Sequence, residues 1–389
     1  MQPPSIYLEK YLPVLLILNI VYMLLFWMLG LYDRRSKRAL LEEFLTIFGV
    51  ISTGIAIFIS ILFVNRMFWM SRAVLFLFWG GSVTLLCLSR LLWPLKLVQD
   101  SIKFDINELK SRMKGATKNF NQKDLSIIVV TYNSLDKLKE SVRSLKEAGY
   151  DKQAQLLYVD NASSDTSVEY VKGQLPQAKI IKNNQNMGYS AAINSGLKIA
   201  QTPYCLILNP DVEVVPGSIE FMIDFMKKNQ RVGLAGSRLL NPDGTLQYSA
   251  RRFLDLRTYL YRFTPLRGLM KGSALERYYL MQDWDHRQNR IVDWVLGGCM
   301  LVRKEALNAV GLMDEKFFLY FEDVDWCFRM WEKGWQIAYV AEAAMIHKHM
   351  RTSVNRLFNR ATYVHFLSLF YFLRKHGLHF PQNCPSSRE

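Results

Sequence analysis

The sequence predicts an α/β domain on a mostly parallel sheet, set behind a hydrophobic N-terminal region. Two observations predict the domain. From Leu125 onward the apolar runs "LSIIVVTYN", "QLLYVDNAS", "AKIIKNNQN" and "YCLILNPDV" alternate with helical patterns near Leu135–Ala148 and in "AAINSGLKIA". Strands alternating with helices imply a parallel sheet covered by helices. These runs end in polar residues, Thr131-Tyr132-Asn133, Asp160-Asn161 and Asn209-Pro210-Asp211, and such sheets bind ligands at the carboxyl ends of their strands. A third observation predicts the region in front: Tyr11–Tyr32, Phe44–Val64 and Ala73–Ser89 carry no charge.

A helix needs about 20 apolar residues to cross a ~30 Å hydrocarbon core. Residues 1–94 therefore read as two to three transmembrane helices. The first run is too long for a signal-peptide core and has no small-residue cleavage site after it, so it reads as retained. The first loop holds Arg34, Arg35, Lys37 and Arg38, the second only Arg66 and Arg72. That bias places the large domain on the cytoplasmic side of an inner membrane. Residues 95–124 are polar and read as a linker with one amphipathic helix. Residues 125–350 form the α/β domain, 351–380 an amphipathic helical segment and 381–389 a disordered tail. The run "YVHFLSLFYFLRKHG" suits a helix lying in a lipid interface, with packing on the α/β domain as the alternative.

The net charge of +15 suits an anionic partner. No zinc-ligand spacing or RNA-binding signature accompanies it, which argues against nucleic acid and for a lipid surface or a phosphorylated substrate. The five cysteines are odd in number, widely spaced and without C-x-x-C. They read as buried thiols, not as a disulfide framework or zinc site.

Candidate chemistry sits at the strand ends. Asp160 can accept from a pyrimidine ring N–H, and Asp211 offers a hard oxygen to a divalent cation. Gly188 precedes a helix starting near Ser190, whose N-terminus favours a pyrophosphate. Further on, "FFLYFEDVDWCFRM" sets Glu322, Asp323 and Asp325 among aromatics. Burying three carboxylates is costly unless they bind something or carry a proton. Arg329 accounts for Asp325 as an i,i+4 ion pair. Asp323 is the candidate general base, its pKa raised by apolar surroundings. His347 and His349 follow the strand run "WQIAYVAEAAMI". His347 is the candidate second metal ligand through a neutral imidazole, with His349 as the alternative.

The blocks "SIIVVTYNS", "VDNASSD", "NMGYSAAINSG", "LILNPDV", "LNPDGTLQYSARR", "VDWVLGGCMLVRKEA", "GLMDEKFFLYFEDVDWCFRMWEKGW" and "IHKHMRTS" occur in that order. In this the stretch from Ser126 to Ser353 resembles the inverting glycosyltransferases of family 2, in their rhamnosyltransferase-like and galactofuranosyltransferase-like branch. The resemblance implies a nucleotide-diphospho-sugar transferase fold of the GT-A type. It implies that Thr131, Asn133, Asp160 and Asn161 hold the base and ribose, and that Asn186, Gly188 and Asn194 line the donor site. Asp211 would be the metal-binding residue of a D-x-D-like motif, with Asn209 in place of its first Asp. Gly297 and Gly298 would lie beneath the donor sugar or acceptor. Asp323 would be the catalytic base, Glu322 its support in the acceptor pocket, and His347 would complete a site for Mg2+ or Mn2+.

The activity so implied is a single displacement with inversion. It moves a sugar, rhamnose from dTDP-rhamnose as the leading expectation, from a nucleotide-diphospho-sugar donor to a polyprenyl-diphosphate-linked saccharide in surface polysaccharide assembly. The stretches "GLYDRRSKRALLEEF" and "SRAVLFLFWGG" are similar to the membrane region of polyprenyl-phosphate sugar-phosphate transferases and carry a topology only. A processive synthase would need a Q-x-x-R-W-type motif, which is absent. A non-catalytic membrane scaffold is the rival of another class, and the presence of Asp211 and Asp323 counts against it.

Overall fold

The computed structural model describes residues 102–114, 124–253, 274–348, 360–381 and 383–387, with positions 49, 51–52, 79–81 and 84 before them. The expected membrane runs, their loops and His349 lie outside the described residues. The chain forms two compact units, Met1–Asp100 with Arg257–Glu276, and Ser101–Leu256 with Arg277–Glu389. In the first, Ile51 is buried and Trp79 donates its indole N–H to Ser52 Oγ at 3.1 Å. Among the described residues no helix is long and apolar enough to cross a membrane.

The second unit opens with α1 (Ile106–Lys114), then β1 (Leu125–Thr131), α2 (Leu135–Glu147), α3 (Tyr150–Gln153), β2 (Gln155–Asp160), α4 (Ser167–Gln174) and β3 (Lys179–Lys182). It continues through α5 (Tyr189–Leu197), β4 (Tyr204–Leu208), β5 (Val212–Val214), α6 (Ser218–Lys228), β6 (Val232–Leu240), β7 (Leu246–Gln247) and β8 (Ala250–Arg251). After α7 (Ala274–Tyr279) come β9 (Arg290–Ile291), β10 (Trp294–Val295), β11 (Cys299–Arg303), α8 (Lys304–Val310), α9 (Glu322–Glu332), β12 (Gln336–His347) and α10 (Arg360–His376). The main sheet runs β3-β2-β1-β4-β11-β6-β12-β5. It is parallel from β3 to β4 and between β6 and β12, while β11 and β5 run antiparallel to their neighbours.

The strand chemistry explains this. β1, β4 and β6 are buried at every position, as central strands covered on both faces must be. α2 turns Leu138, Val142 and Leu145 inward at helical spacing, with Asp136 in its first turn and Lys146 in its last, each favourable to the helix dipole. The cysteines described, Cys205, Cys299, Cys327 and Cys384, are buried and free.

Three segments add to the sequence expectation. The linker carries one helix, α1, and its first residues are docked. Phe104 is buried with Leu240, Leu246 and Ala344, and the Phe104 N–H meets the Gly244 carbonyl at 2.9 Å. The tail expected to be disordered forms a 3-10 turn, Pro385–Ser387. Ser386 donates its N–H to Asp293 Oδ1 at 3.0 Å and its hydroxyl to the same buried carboxylate. That carboxylate needs donors once it is out of water, and the tail supplies them.

α10 is the third. Its inner face packs on the α/β unit through buried Leu369 and Phe372. Tyr371 Oη and Lys375 Nζ reach Asp314 Oδ2 at 2.9 and 2.7 Å, and Ser368 Oγ donates to the Leu319 carbonyl at 2.8 Å. Its outer face exposes Tyr363, Phe366, Leu367 and Phe370, spaced i, i+3, i+4, i+7. Asp325 anchors the inner face: Lys375 Nζ and His376 Nε2 each lie 2.7 Å from its Oδ1, and Arg329 Nε lies 2.8 Å from its Oδ2. Burial pushes this carboxyl up, but the His376 hydrogen bond and the Arg329 and Lys375 charges outweigh it and hold it below the usual range.

Removing one partner of a buried ion pair costs about 3–5 kcal/mol. Asp325→Ala should lose a stability of that order in urea unfolding. In the wild type a depressed carboxyl stabilises above its unfolded pKa near 4. That contribution should disappear as the pH falls through the lower folded value.

Candidate active site

β1, β2 and β4 are neighbours, and Thr131 and Asp160 are Cα partners at the ends of β1 and β2. The loops beyond these ends clasp each other. Asn133, at φ 48°, accepts from Ser164 N–H at 2.8 Å and donates its own N–H to Ser163 Oγ at 3.0 Å. Asp165 Oδ2 takes the Leu135 N–H at 3.1 Å, and Thr131 Oγ1 lies 3.3 Å from Asp160 Oδ1. Asp160 and Thr131 thus line one shelf.

The next strand end holds Asn209 and Asp211. β12 reaches the same place from the far end of the chain. Its last residue, His347, pairs with Val212, and Lys348 N–H binds the Asp211 carbonyl at 2.9 Å. This sets His347 Nε2 3.3 Å from Asp211 Oδ1. The ring's tautomer follows from its other side. Gln247 Nε2 donates to Asn241 Oδ1 at 2.8 Å and to the His347 carbonyl at 2.7 Å. The Gln247 carbonyl oxygen must therefore face His347 Nδ1, 2.8 Å away, and only an N–H can answer it. The Nε2 nitrogen faces the Asp211 carboxylate oxygen, and the two together could hold a cation. Among the described residues no group of three or more His, Cys, Asp or Glu side chains gathers as a metal site. The pair with its Gln247 support suits instead a cation whose remaining positions belong to substrate phosphates and water. Lys137 Nζ lies 3.9 Å from the other Asp211 oxygen.

A two-glycine loop separates this pair from the acidic cluster. A Cβ on Gly298 would stand 3.5 Å from His347 Cε1, and one on Gly297 would stand 3.5 Å from Asp323 Oδ2. Gly297 N–H donates to Asp323 Oδ2 at 2.9 Å, and Val324 N–H to its Oδ1 at 2.9 Å. Burial raises the Asp323 carboxyl, and these two N–H bonds limit the rise. Burial and the adjacent Asp323 push Glu322 well up. Of the two, Asp323 gives up its proton more readily, because two N–H donors face its carboxylate. Tyr320 and Phe321, just before them, sit at φ 69° and 68°. That backbone costs non-glycine residues about 1–2 kcal/mol each, and α10 holds it in place, with His365 packed on both rings at 4.7 and 5.5 Å.

Residues 126–311 match the family model described as glycosyl transferase family 2. Over 253 residues the chain is 30% identical to the N-acetylglucosaminyl-diphospho-decaprenol L-rhamnosyltransferase of Mycobacterium tuberculosis, covering 60% of this chain and 78% of that one. The chain belongs to glycosyl transferase family 2. It is also 24% identical to the rhamnosyltransferase WbbL of Escherichia coli, covering 64% of this chain and 92% of that one. To the low-salt glycan biosynthesis hexosyltransferase of Haloferax volcanii it is 23% identical, with 58% and 67% covered.

Several residues assigned to the glycosyltransferase's donor site spend their polar atoms inside the protein. Asn161 Nδ2 donates to Asn186 Oδ1 and the Gly188 carbonyl at 2.9 and 3.1 Å, and its Oδ1 accepts from Asn183 and Met187. Asn194 Nδ2 donates to the Met313 carbonyl and Glu315 at 2.9 Å each, and its Oδ1 takes the Met313 N–H at 3.0 Å. Asn161 and Asn194 hold loops. The close approach at Gly188 is made by the protein itself, because a Cβ there would fall 2.7 Å from the Phe318 carbonyl oxygen. Tyr189 N–H already binds that oxygen at 2.7 Å, and Gly188 N–H binds Asn186. The Gly188 and Tyr189 N–H groups at the start of α5 are therefore already bonded within the protein.

The site also contains residues that the sequence reading did not single out. Gln247 lies inside the block "LNPDGTLQYSARR", which had no role assigned. Tyr189 lies between Gly188 and Ser190, and its hydroxyl reaches Asn209 and Gly297. Where a histidine binds a metal, the residue that orients its ring contributes about 10–100-fold in affinity. Gln247→Leu should weaken Mn2+ binding by that factor, read by titration calorimetry on the purified protein.

Proposed function

We propose that the protein transfers rhamnose from dTDP-rhamnose, with inversion, to a hydroxyl of a polyprenyl-diphosphate-linked saccharide at the cytoplasmic face of a membrane. The observation that carries the reading is the Gly297-Gly298 loop, with the base carboxylate on one side and the Asp211–His347 pair on the other. Base and leaving-group sites on opposite sides of one crevice are what a direct displacement needs. Asp323, kept anionic by two N–H donors, takes the proton from the acceptor hydroxyl. Glu322, kept protonated, can donate a hydrogen bond to the acceptor. The nucleotide base and ribose lie along the shelf of Thr131 and Asp160. Asp211 and His347 would hold Mg2+ or Mn2+, which supplies positive charge to the departing diphosphate.

The rhamnosyl donor and lipid-linked acceptor are supported by the names of the two rhamnosyltransferase relatives. The exposed face of α10, Tyr363, Phe366, Leu367 and Phe370, adjoins the strained loop that leads into Glu322 and suits a prenyl chain or lipid surface. The uncharged N-terminal runs and the basic first loop support the membrane placement.

General-base catalysis contributes about 10²–10⁴-fold. Asp323→Asn should lose kcat by that factor while dTDP binding is retained. Because the Asp323 carboxyl is raised, it becomes protonated at a pH where an ordinary aspartate, near 4, is still ionised. The acid limb of the wild-type pH profile should accordingly lie above that value. Full-length protein in detergent should also be assayed against dTDP-, UDP- and GDP-sugars, with and without Mn2+, on lipid-linked and soluble acceptors. Mn2+-dependent release of dTDP with the lipid-linked acceptor is the expected result. Turnover on soluble acceptors alone would overturn the lipid-linked reading.

A further inference from the structure

Asn209 stands two residues before Asp211, where a D-x-D motif has its first acid. Its side chain is oriented from another part of the chain. Tyr189 Oη lies 2.6 Å from Asn209 Oδ1 and 3.4 Å from the Gly297 carbonyl oxygen. The amide has two possible orientations, and the distances choose between them. A separation of 2.6 Å suits O–H···O, whose mode is about 2.7–2.8 Å, and is short for N–H···O, whose mode is about 2.9–3.0 Å. The flipped amide would also make the tyrosine spend its proton on a carbonyl 3.4 Å away. The phenol therefore donates to Oδ1. Its proton is secure, because burial and the nearby Glu322, Asp323 and Asp211 carboxylates keep it well above the usual tyrosine range.

With Oδ1 turned to Tyr189, the planar amide presents Nδ2 on its other edge. Nδ2 has no hydrogen-bond partner among the described residues. An N–H2 group repels a cation and attracts an anionic oxygen. A metal ligand at this position would have only the second lone pair of that oxygen, because Tyr189 occupies the first. We propose that Asn209 is a hydrogen-bond donor to the diphosphate of the nucleotide-sugar, not a metal ligand, and that Tyr189 is the positioning residue that fixes it so. Metal and diphosphate are then held by separate residues, Asp211 with His347 for the one and Asn209 for the other. Through Gly297 the same phenol touches the loop whose N–H binds Asp323, so the amide and that loop share one anchor. The proposal rests on the transferase reading of the site.

The experiment separates the two ligands. Full-length wild type, Asn209→Ala and Tyr189→Phe are titrated with MnCl2 alone, and with dTDP and UDP in Mn2+ and in EDTA. Thermal unfolding checks that each variant is folded. A hydrogen bond to a charged group is worth roughly tenfold or more in affinity. Asn209→Ala should weaken nucleotide binding by about that factor in both Mn2+ and EDTA, and leave the Kd for MnCl2 within about twofold. Tyr189→Phe should follow in the same direction by a smaller factor, raising KM for the donor more than it lowers kcat. Should Tyr189→Phe fail to fold, Asn209→Ala decides alone. A loss of MnCl2 affinity in Asn209→Ala, or unchanged nucleotide binding, would overturn the proposal. Wild-type protein that binds neither nucleotide would overturn the proposal and the transferase reading together, and that failure is recognised by its appearance before any substitution.

Discussion

The pairing of His347 with Val212 is the constraint on which the site depends. β12 crosses the sheet from Gln336 to His347, parallel to β6 on one side and antiparallel to β5 on the other. Backbone hydrogen bonds along that length set the register, and a slip of one residue would turn every side chain to the other face. The imidazole therefore reaches Asp211 because of a ladder, not because of any attraction between the two side chains. Gln247, on the short strand beside β6, then sets the ring's tautomer. Position comes from the sheet and chemistry from one amide.

The first turn of α9 shows how neighbouring carboxylates take different roles. Glu322, Asp323 and Asp325 share the favourable end of one helix dipole. Asp325 is met by Arg329, Lys375 and His376, and its carboxyl is held below the usual range. Asp323 is met by two backbone N–H groups, one of them from the glycine loop, and these limit the rise that burial causes. Glu322 lacks these partners, and burial beside Asp323 pushes its carboxyl well up. Sequence spacing identified Arg329 as the partner of Asp325, because an i,i+4 pair is local. It could not identify Lys375 or His376, which arrive from a helix that the sequence reading weighed against a lipid interface.

That difference runs through the whole site. The strands and helices around β1, β2, β4 and α2 were legible because periodicity and turn residues are local signals. Asp211, Asp323 and their strand-end or helix-start positions were legible for the same reason. Asn161 and Asn194 were placed as donor-site residues because a motif shows which residues recur together, not which atoms their side chains touch. Asn194 meets Met313 and Glu315, far along the chain, and no spacing rule predicts that. The docked linker and the tail's grip on Asp293 went unread for a related reason. Both are polar segments, and polarity alone does not distinguish a loose strand of chain from one that supplies donors to a buried acid.

β12 is the last strand of the sheet in sequence, yet it lies between two earlier ones, β6 and β5. Until it inserts, those two strands have no common neighbour, and the half-sheet must close around a late arrival. Pairings of such long range form slowly, because the loop entropy is lost before any contact compensates it. The Asp211–His347 pair is complete only once this strand is in place, and Asp325 of α9 gains Lys375 and His376 only once α10 packs. A chain cut before β12 would thus keep the paired ends of β1 and β2 but lack the histidine that faces Asp211.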